Sequence, residues 1–257
     1  MPEKAKQIIP TVFLLQKEAD TELTPDNAAV YDALRCSQWM RRNTPFLIAA
    51  LGEYDGDPNV IPVGSVEFVN DILERIYGHR KLSPINIPRQ LDLPEYLLRR
   101  IWPNADYKSA MALFQESVHR KFYVKPAEYV KEFPCEEYGI ERFENEFYDY
   151  KGCLFVSEPL PCSITSEWRL FIENGTILDI RPYFMDDTWR FPDLGIVQKM
   201  VLAYTVSPPA YTLDIAVLSN GATVLIEVHN FVACGLYGFE GIKLLSMLRY
   251  GFRYELG

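Results

Sequence analysis

Two kinds of periodicity run along the chain. In the first third, short apolar runs alternate with stretches whose apolar residues recur every three or four positions. Residues 11–15 (TVFLL) and 45–51 (PFLIAAL) read as buried strands, and residues 60–63 as a third. Between the first two, Thr24 precedes Pro25, the pattern of a helix N-cap with proline in the first turn. That helix is expected to run to about Arg42 and to stop before Thr44-Pro45. Ser65, after Gly64, reads as a second N-cap. Val69, Ile72, Leu73 and Ile76 then share one face of a helix that ends at Gly78. A Gly-Ser turn before a helix can cradle phosphate, but alone it is weak evidence for a ligand.

Residues 81–94 carry three prolines and little periodicity, which predicts a linker and a boundary near residue 94. The expected layout is a small α/β lobe over 1–94 and a second lobe over 95–257. In the second lobe, short helices are expected over 95–101 and 107–116. Beyond Arg120 the pattern changes to strands, at 121–125, 154–156, 166–172, 177–183, 211–218 and 223–229. A helix is expected within 191–204, and another over 238–250 with Ile242, Leu245 and Leu248 inward.

The strongest local signal is LDIAVLSNGATVLIEVHN at 213–230. Asn220-Gly221 between two alternating runs predicts a two-residue hairpin turn, which pairs Asp214 with Glu227. Alternation then puts Asp214, Glu227 and His229 on one face. Ile215, Val217, Val224, Ile226 and Val228 fall on the other, buried face, and Asn230 points with them. Two carboxylates facing each other across a sheet repel unless something neutralises them. A divalent cation is the simplest such agent, and oxygen ligands suit Mg²⁺. Alternatively the carboxylates are simply solvated and His229 caps the strand end.

SEWRLFI at 166–172 also alternates, and Asn174-Gly175 turns it into the next strand. A two-residue turn pairs Arg169 with Ile180 and sends Arg181 to the far face. A three-residue loop with a bulge instead gathers Glu167, Arg169, Asp179 and Arg181. Lys125 ends its strand before Pro126, where its charge could meet a phosphate or only solvent. VSEPL at 156–160 is a strand running into a proline-stiffened bend. Gly235 and Tyr237, in CGLYGF, read as a tight packing turn.

Composition narrows the classes of function. A net charge of −9 and the lack of a dense Lys/Arg run disfavour nucleic-acid binding. The five cysteines are odd in number and form no Cys-x-x-Cys pair, so buried free thiols in a reducing cytoplasm are expected. No apolar run approaches membrane-span length. Walker A, G-x-S-x-G, H-E-x-x-H and G-x-G-x-x-G motifs are absent, and His79 and His119 receive no role.

Taken in order, YVKP at 123–126, VSEPL, SEWRLFI, and the hairpin followed by GLYGF resemble the ATP-grasp superfamily. The match is nearest the clade named for two arginines and a lysine, known from phages and bacteria, and IPVGSVEFV at 61–69 resembles its N-terminal lobe. The resemblance implies a two-lobed α+β ATP-grasp fold with an antiparallel core sheet. It also implies that Lys125 contacts ATP phosphates. The backbone of Val156, Ser157 and Leu160, with Glu158, would hold adenine and ribose, and Glu167 counts among the nucleotide-binding residues. Arg169 and Arg181 would steady the γ-phosphate or an acyl-phosphate, which favours the bulged register. Asp214 and Glu227 would bind Mg²⁺. The family carries Asn two residues after that glutamate; here the position holds His229, with Asn230 next.

The reaction implied is ATP-dependent carboxylate–amine ligation through an acyl-phosphate, with a peptide or protein end among the candidate substrates. The alternatives are a nucleotide-binding protein without turnover and an RNA- or nucleotide-modifying factor of phage type.

Overall fold

The computed structural model describes residues 11–18, 22–78, 81–82, 93–118, 120–129 and 131–257. His79, His119 and most of the expected linker lie outside the described residues.

The first three strands, β1 (Val12–Gln16), β2 (Phe46–Ala49) and β3 (Val60–Val63), form a parallel sheet in the order β2-β1-β3. Helix α1 (Pro25–Trp39) starts where expected, with Thr24 Oγ1 accepting from Asn27 N at 3.2 Å. It ends earlier than expected, because Arg41 and Asn43 adopt left-handed φ values of 56° and 45°. Helix α2 (Val66–Arg75) is capped by Ser65 and buries Val66, Phe68, Val69, Ile72 and Leu73. Strand β2 was expected to be buried, but Leu47 and Ile48 are 47% and 43% exposed. It is the sheet edge, paired on one side only, whereas Phe13, Leu14 and Leu15 of the central β1 are fully covered.

A second, antiparallel sheet follows in the order β4-β7-β5-β6: β4 (Ile101–Ala105), β5 (Lys121–Pro126), β6 (Glu136–Gly139) and β7 (Leu154–Ser157). Helices α3 (Tyr107–Glu116) and α4 (Ile140–Phe147) cover it through Phe114, Phe143 and Phe147. The helix expected over 95–101 is not formed. A 3-10 turn at Pro94–Tyr96 gives way to Leu98 with φ 53°, and the chain is extended by Trp102, whose backbone is restricted by Pro103.

The third sheet is antiparallel, in the order β11-β10-β8-β9: β8 (Ile164–Glu173), β9 (Thr176–Met185), β10 (Ala210–Leu218) and β11 (Thr223–Asn230). Helix α5 (Leu194–Ala203) buries Val197, Met200 and Val201 against its back face. The last helix, α6 (Lys243–Leu256), starts later than expected because Gly238 and Gly241 hold φ of 85° and 92°. It returns to the first sheet: Leu244, Met247 and Phe252 share one core with Phe13, Ile61 and Phe231. Helices and antiparallel sheets together make an α+β fold. Among the described residues no helix is long and apolar enough to cross a membrane. All five cysteines are free, but none is fully buried as expected: Cys36 and Cys135 are exposed, and Cys153, Cys162 and Cys234 are half-buried.

At Gly251 helix α6 lies close against the chain just after β11, since a Cβ there would overlap the Phe231 carbonyl. In an open helix Gly→Ala would gain up to about 1 kcal/mol. Here overpacking, which costs about 1–3 kcal/mol, should dominate. We expect Gly251→Ala to lose about 1–2 kcal/mol in urea unfolding followed by circular dichroism; a more stable variant would contradict this packing.

Candidate active site

Two β-bulges set which side chains meet. In the β10–β11 hairpin the turn holds three residues, since Leu218 N donates to the Ala222 carbonyl at 2.9 Å and Gly221 has φ 86°. Taken alone, that turn would shift every later pair by one. A bulge at Ile226 shifts it back, so Ile215 pairs Leu225 whereas Asp214 pairs Glu227, as expected. Between turn and bulge the faces are exchanged. Leu225 enters the core with Ile215 and Val217, and Val224 and Ile226 join the site side with Ala216 and Leu218. That corrects the expected placing of Val224 and Ile226.

Arg99 holds the bulge in place. Its guanidinium donates to the Leu225 and Ile226 carbonyls at 2.9 and 3.1 Å and to Ser157 Oγ at 3.0 Å. Burial pulls its pKa down to about 10, which still leaves it charged at neutral pH. Sequence reasoning missed Arg99; the only signal was an Arg-Arg pair just before Trp102-Pro103.

The β8–β9 hairpin turns on Asn174-Gly175, both left-handed (φ 49° and 75°), so the turn itself has two residues. Two bulges lie beyond it, and the nearer, between Phe171 and Ile172 on the register, brings Arg169 directly opposite Arg181. The gathered register is therefore the one formed, by a different route. Arg181 Nε donates to Asp179 Oδ2 at 2.7 Å.

Strands β8 and β10 pair Arg169 with Asp214, and the side chains form a two-pronged ion pair at 2.7 and 2.6 Å. They are 6% and 2% exposed. Burial works against the Arg169 charge, but the Asp214 contact outweighs it and raises its pKa. The remaining Arg169 nitrogen donates to the Gly235 carbonyl at 3.1 Å. Tyr237 and Tyr183 stack at 5.1 Å beside it, with the guanidinium carbon 5.0 Å from the Tyr237 ring centre. Tyr237 is thus more than packing: it is 46% exposed and caps a cation.

Across the face, Lys125 Nζ donates to Glu227 Oε2 at 2.9 Å, and His229 Nε2 lies 2.6 Å from Glu227 Oε1. Burial opposes the Glu227 charge, yet Lys125 and His229 together hold it well below the usual carboxylate range. Asn230 Nδ2 instead donates to Glu255 Oε2 at 3.0 Å. One ligand atom each from Asp214, Glu227 and His229 lies within 4.8 Å of the others. An octahedral Mg²⁺ holds its ligands at ~2.1 Å, so this donor set, mainly oxygens, suits that ion once the side chains rearrange around it.

Beside this face is a cavity of about 640 Å³ between the second and third sheets. Its lining includes Lys125, Glu167 and Glu227 together with the bend at Ser157, Glu158, Pro159 and Leu160. Val156 does not line it; its side chain is in the core of the second sheet and its backbone is paired with β4 and β5. Glu158 accepts from Arg100 Nε and Nη2 at 2.8 and 2.6 Å.

A family model of the ATP-grasp domain, family 3 of the clade named for two arginines and a lysine, matches residues 79–248, more than half of the chain. The chain belongs to this clade of the ATP-grasp superfamily. Solved structures with this fold include the D-cycloserine synthetase DcsG, at 12% identity and TM-score 0.56 over 96% of this chain and 100% of that one. D-alanine–D-alanine ligase from Bacillus anthracis matches at 12% identity and TM-score 0.52, over 95% and 98% of the two chains. The macrocyclase MdnC from Microcystis aeruginosa MRC, solved with its precursor peptide MdnA, matches at 13% identity and TM-score 0.51, over 92% and 97%. At such identities these likenesses concern the fold. No curated protein matches the sequence.

One titration follows from this ATP-grasp face. Burial first, and Asp214 and Glu227 after it, push Glu167 up to about 7. A carboxyl raised above its unfolded value of 4.5 stays protonated longer in the folded chain. Its contribution to stability is then fully present below about 4.5 and is lost as pH rises through about 7. Glu167→Gln should remove that loss. Thermal unfolding should show the variant gaining on the native chain between pH 5 and pH 8, and a constant difference across that range would count against the burial of a shared negative charge.

Proposed function

We propose that this ATP-grasp protein is an ADP-forming carboxylate–amine ligase that binds Mg·ATP in the 640 Å³ cavity. The supporting observation is that Lys125 and Glu227 line that cavity and are joined through paired strands and hydrogen bonds to His229, Asp214 and Arg169. The bend at Ser157–Leu160 lines the same cavity. In this reading adenine lies against the bend and the phosphates point toward Lys125. Asp214 and Glu227, with His229, would hold Mg²⁺, which neutralises phosphate charge and draws electrons from the transferred phosphorus.

The chain's own contribution is electrostatic positioning. Lys125 leaves Glu227 for a phosphate oxygen, and Arg169 and Arg181 face the group being transferred from opposite strands. The carboxylate substrate would take the γ-phosphoryl group, and an amine would then displace phosphate to form the amide. Charge stabilisation of this kind by fixed donors commonly supplies ~10²–10³-fold in rate per group. D-alanine–D-alanine ligase and the peptide-bound macrocyclase share the fold, so an amino acid or a peptide end is the substrate class to test first.

A second reading has its own observation. Arg169 already pairs with Asp214, and Lys125 and His229 already hydrogen-bond to Glu227, so both carboxylates have partners before any ligand arrives. A protein that binds nucleotide without turning it over could keep such a face. Calorimetry separates the two. The ligase reading expects ATP affinity to depend on Mg²⁺, and that dependence to vanish in Glu227→Gln. Lys125→Met should weaken Mg·ATP by about 10–100-fold, the worth of one hydrogen bond to a charged group. With a panel of amino acids and peptides as substrates, ADP and phosphate should accumulate. AMP with pyrophosphate, or binding without metal dependence, would overturn the ligase.

A further inference from the structure

Strand β2 is an outer strand of the first sheet and pairs with β1 alone among the described residues. Phe13 N donates to the Pro45 carbonyl and Lys17 N to the Ala49 carbonyl, both at 3.0 Å. Backbone groups alternate along a strand, so Leu47 also faces β1, and Phe46 and Ile48 turn their N–H and C=O groups to the open side. Such an edge is a template for another strand, and proteins guard it with charges, proline or bulges. The other outer strands have such guards: Pro62 in β3, Pro103 in β4, Glu136 and Glu137 in β6, Pro182 in β9, and the bulge at Ile226 in β11. Phe46-Leu47-Ile48-Ala49 has none.

Apolar surface surrounds this edge. Leu47 lies on the sheet face of Leu14 and Ile48 on the face of Leu15, and both side chains are partly open to water. Trp39 and Met40, which lead toward β2, and Leu51, which follows it, are 85%, 44% and 52% exposed. Charge of opposite sign flanks the strand. Arg41 and Arg42 precede it, and Glu53, Asp55 and Asp57 follow it, all of them exposed.

We propose that β2 is a self-association edge, which pairs antiparallel with β2 of a second copy of this chain about a two-fold axis at Leu47. About that axis Phe46 and Ile48 of one copy exchange backbone hydrogen bonds with Ile48 and Phe46 of the other. The two Leu47 side chains face each other, so the cross-strand pairs are apolar. The antiparallel sense sets the basic start of each strand beside the acidic end of the other, at both ends of the interface. A parallel sense would oppose like charges. The same two-fold carries Trp39 and Met40 toward Leu51 of the second copy. This charge order selects a second copy over an unrelated strand, because the chain complements itself twice. The interface lies in the first sheet and does not depend on the ligase reading.

Sedimentation velocity on the full chain tests the pairing. The native chain should run at twice the 29.7 kDa of one copy. Ile48→Lys puts a charge on the edge at a half-exposed position and should run at 29.7 kDa with an unchanged circular dichroism spectrum. Arg41→Glu/Arg42→Glu and Asp55→Lys/Asp57→Lys should each weaken self-association by at least about tenfold, because both ends then repel. Glu53 is kept because it accepts from Ala50 N at 2.9 Å. An equal mixture of the two double variants should recover the native affinity to within about threefold, since only the mixed pair has opposite charges at both ends. A native chain that stays at 29.7 kDa up to about 100 µM would leave the edge to a strand of another protein and overturn the proposal. A dimer indifferent to Ile48→Lys, or a mixture that associates no better than either double variant alone, would overturn it too.

Discussion

The Arg169–Asp214 pair holds both halves of the site in register. It joins β8, which carries the arginine, to β10, which carries the metal-face carboxylate, and it is nearly closed to water. Two charges this deep are tolerable only because their hydrogen bonds are well made, and removing one partner from such a pair typically costs ~3–5 kcal/mol. From this pair the rest of the face follows. Glu227 lies opposite Asp214, His229 sits two residues on, and Arg181 stands across from Arg169. The same guanidinium reaches the Gly235 carbonyl, so the segment after β11 is tied to the site as well.

Such a face is stable without a ligand because its metal-side carboxylates already have partners. Lys125 and His229 do for Glu227 what Arg169 does for Asp214. In the ligase reading, arrival of Mg·ATP is an exchange of partners. Glu227 would exchange Lys125 for the metal, and Lys125 would exchange Glu227 for a phosphate. Neither carboxylate need be left unpaired in the low-dielectric interior at any stage. Glu167 stands out for the opposite reason. Burial, and after it the charges of Asp214 and Glu227, raise its pKa at the cavity wall.

Much of this was legible in the chain, and the misses have physical causes. Caps at Thr24 and Ser65 and the Asn174-Gly175 turn were readable because short-range rules decide them. The hairpin pairing came out as expected through two departures that cancel, a three-residue turn and a bulge at Ile226. A bulge depends on a distant partner, here the Arg99 guanidinium on the Leu225 and Ile226 carbonyls, and no local pattern announces it. Strand β6 and helix α4 were missed in a stretch rich in Glu and Tyr, where Gly139 offers no side-chain cap. Exposure was the hardest property to read. The run at 45–51 is apolar enough for a core, but only tertiary pairing reveals that it is an edge.

In the ligase reading Asp214 and Glu227, which now pair with Arg169 and Lys125, would hold a metal between them. A crystal structure with Mg²⁺ and a non-hydrolysable ATP analogue measures it directly. The metal should bridge Asp214 and Glu227 with phosphate oxygens completing its shell, and Lys125 should have moved from Glu227 to a phosphate. A metal bound away from these two carboxylates, with the Lys125–Glu227 and Arg169–Asp214 pairs unchanged, would contradict it.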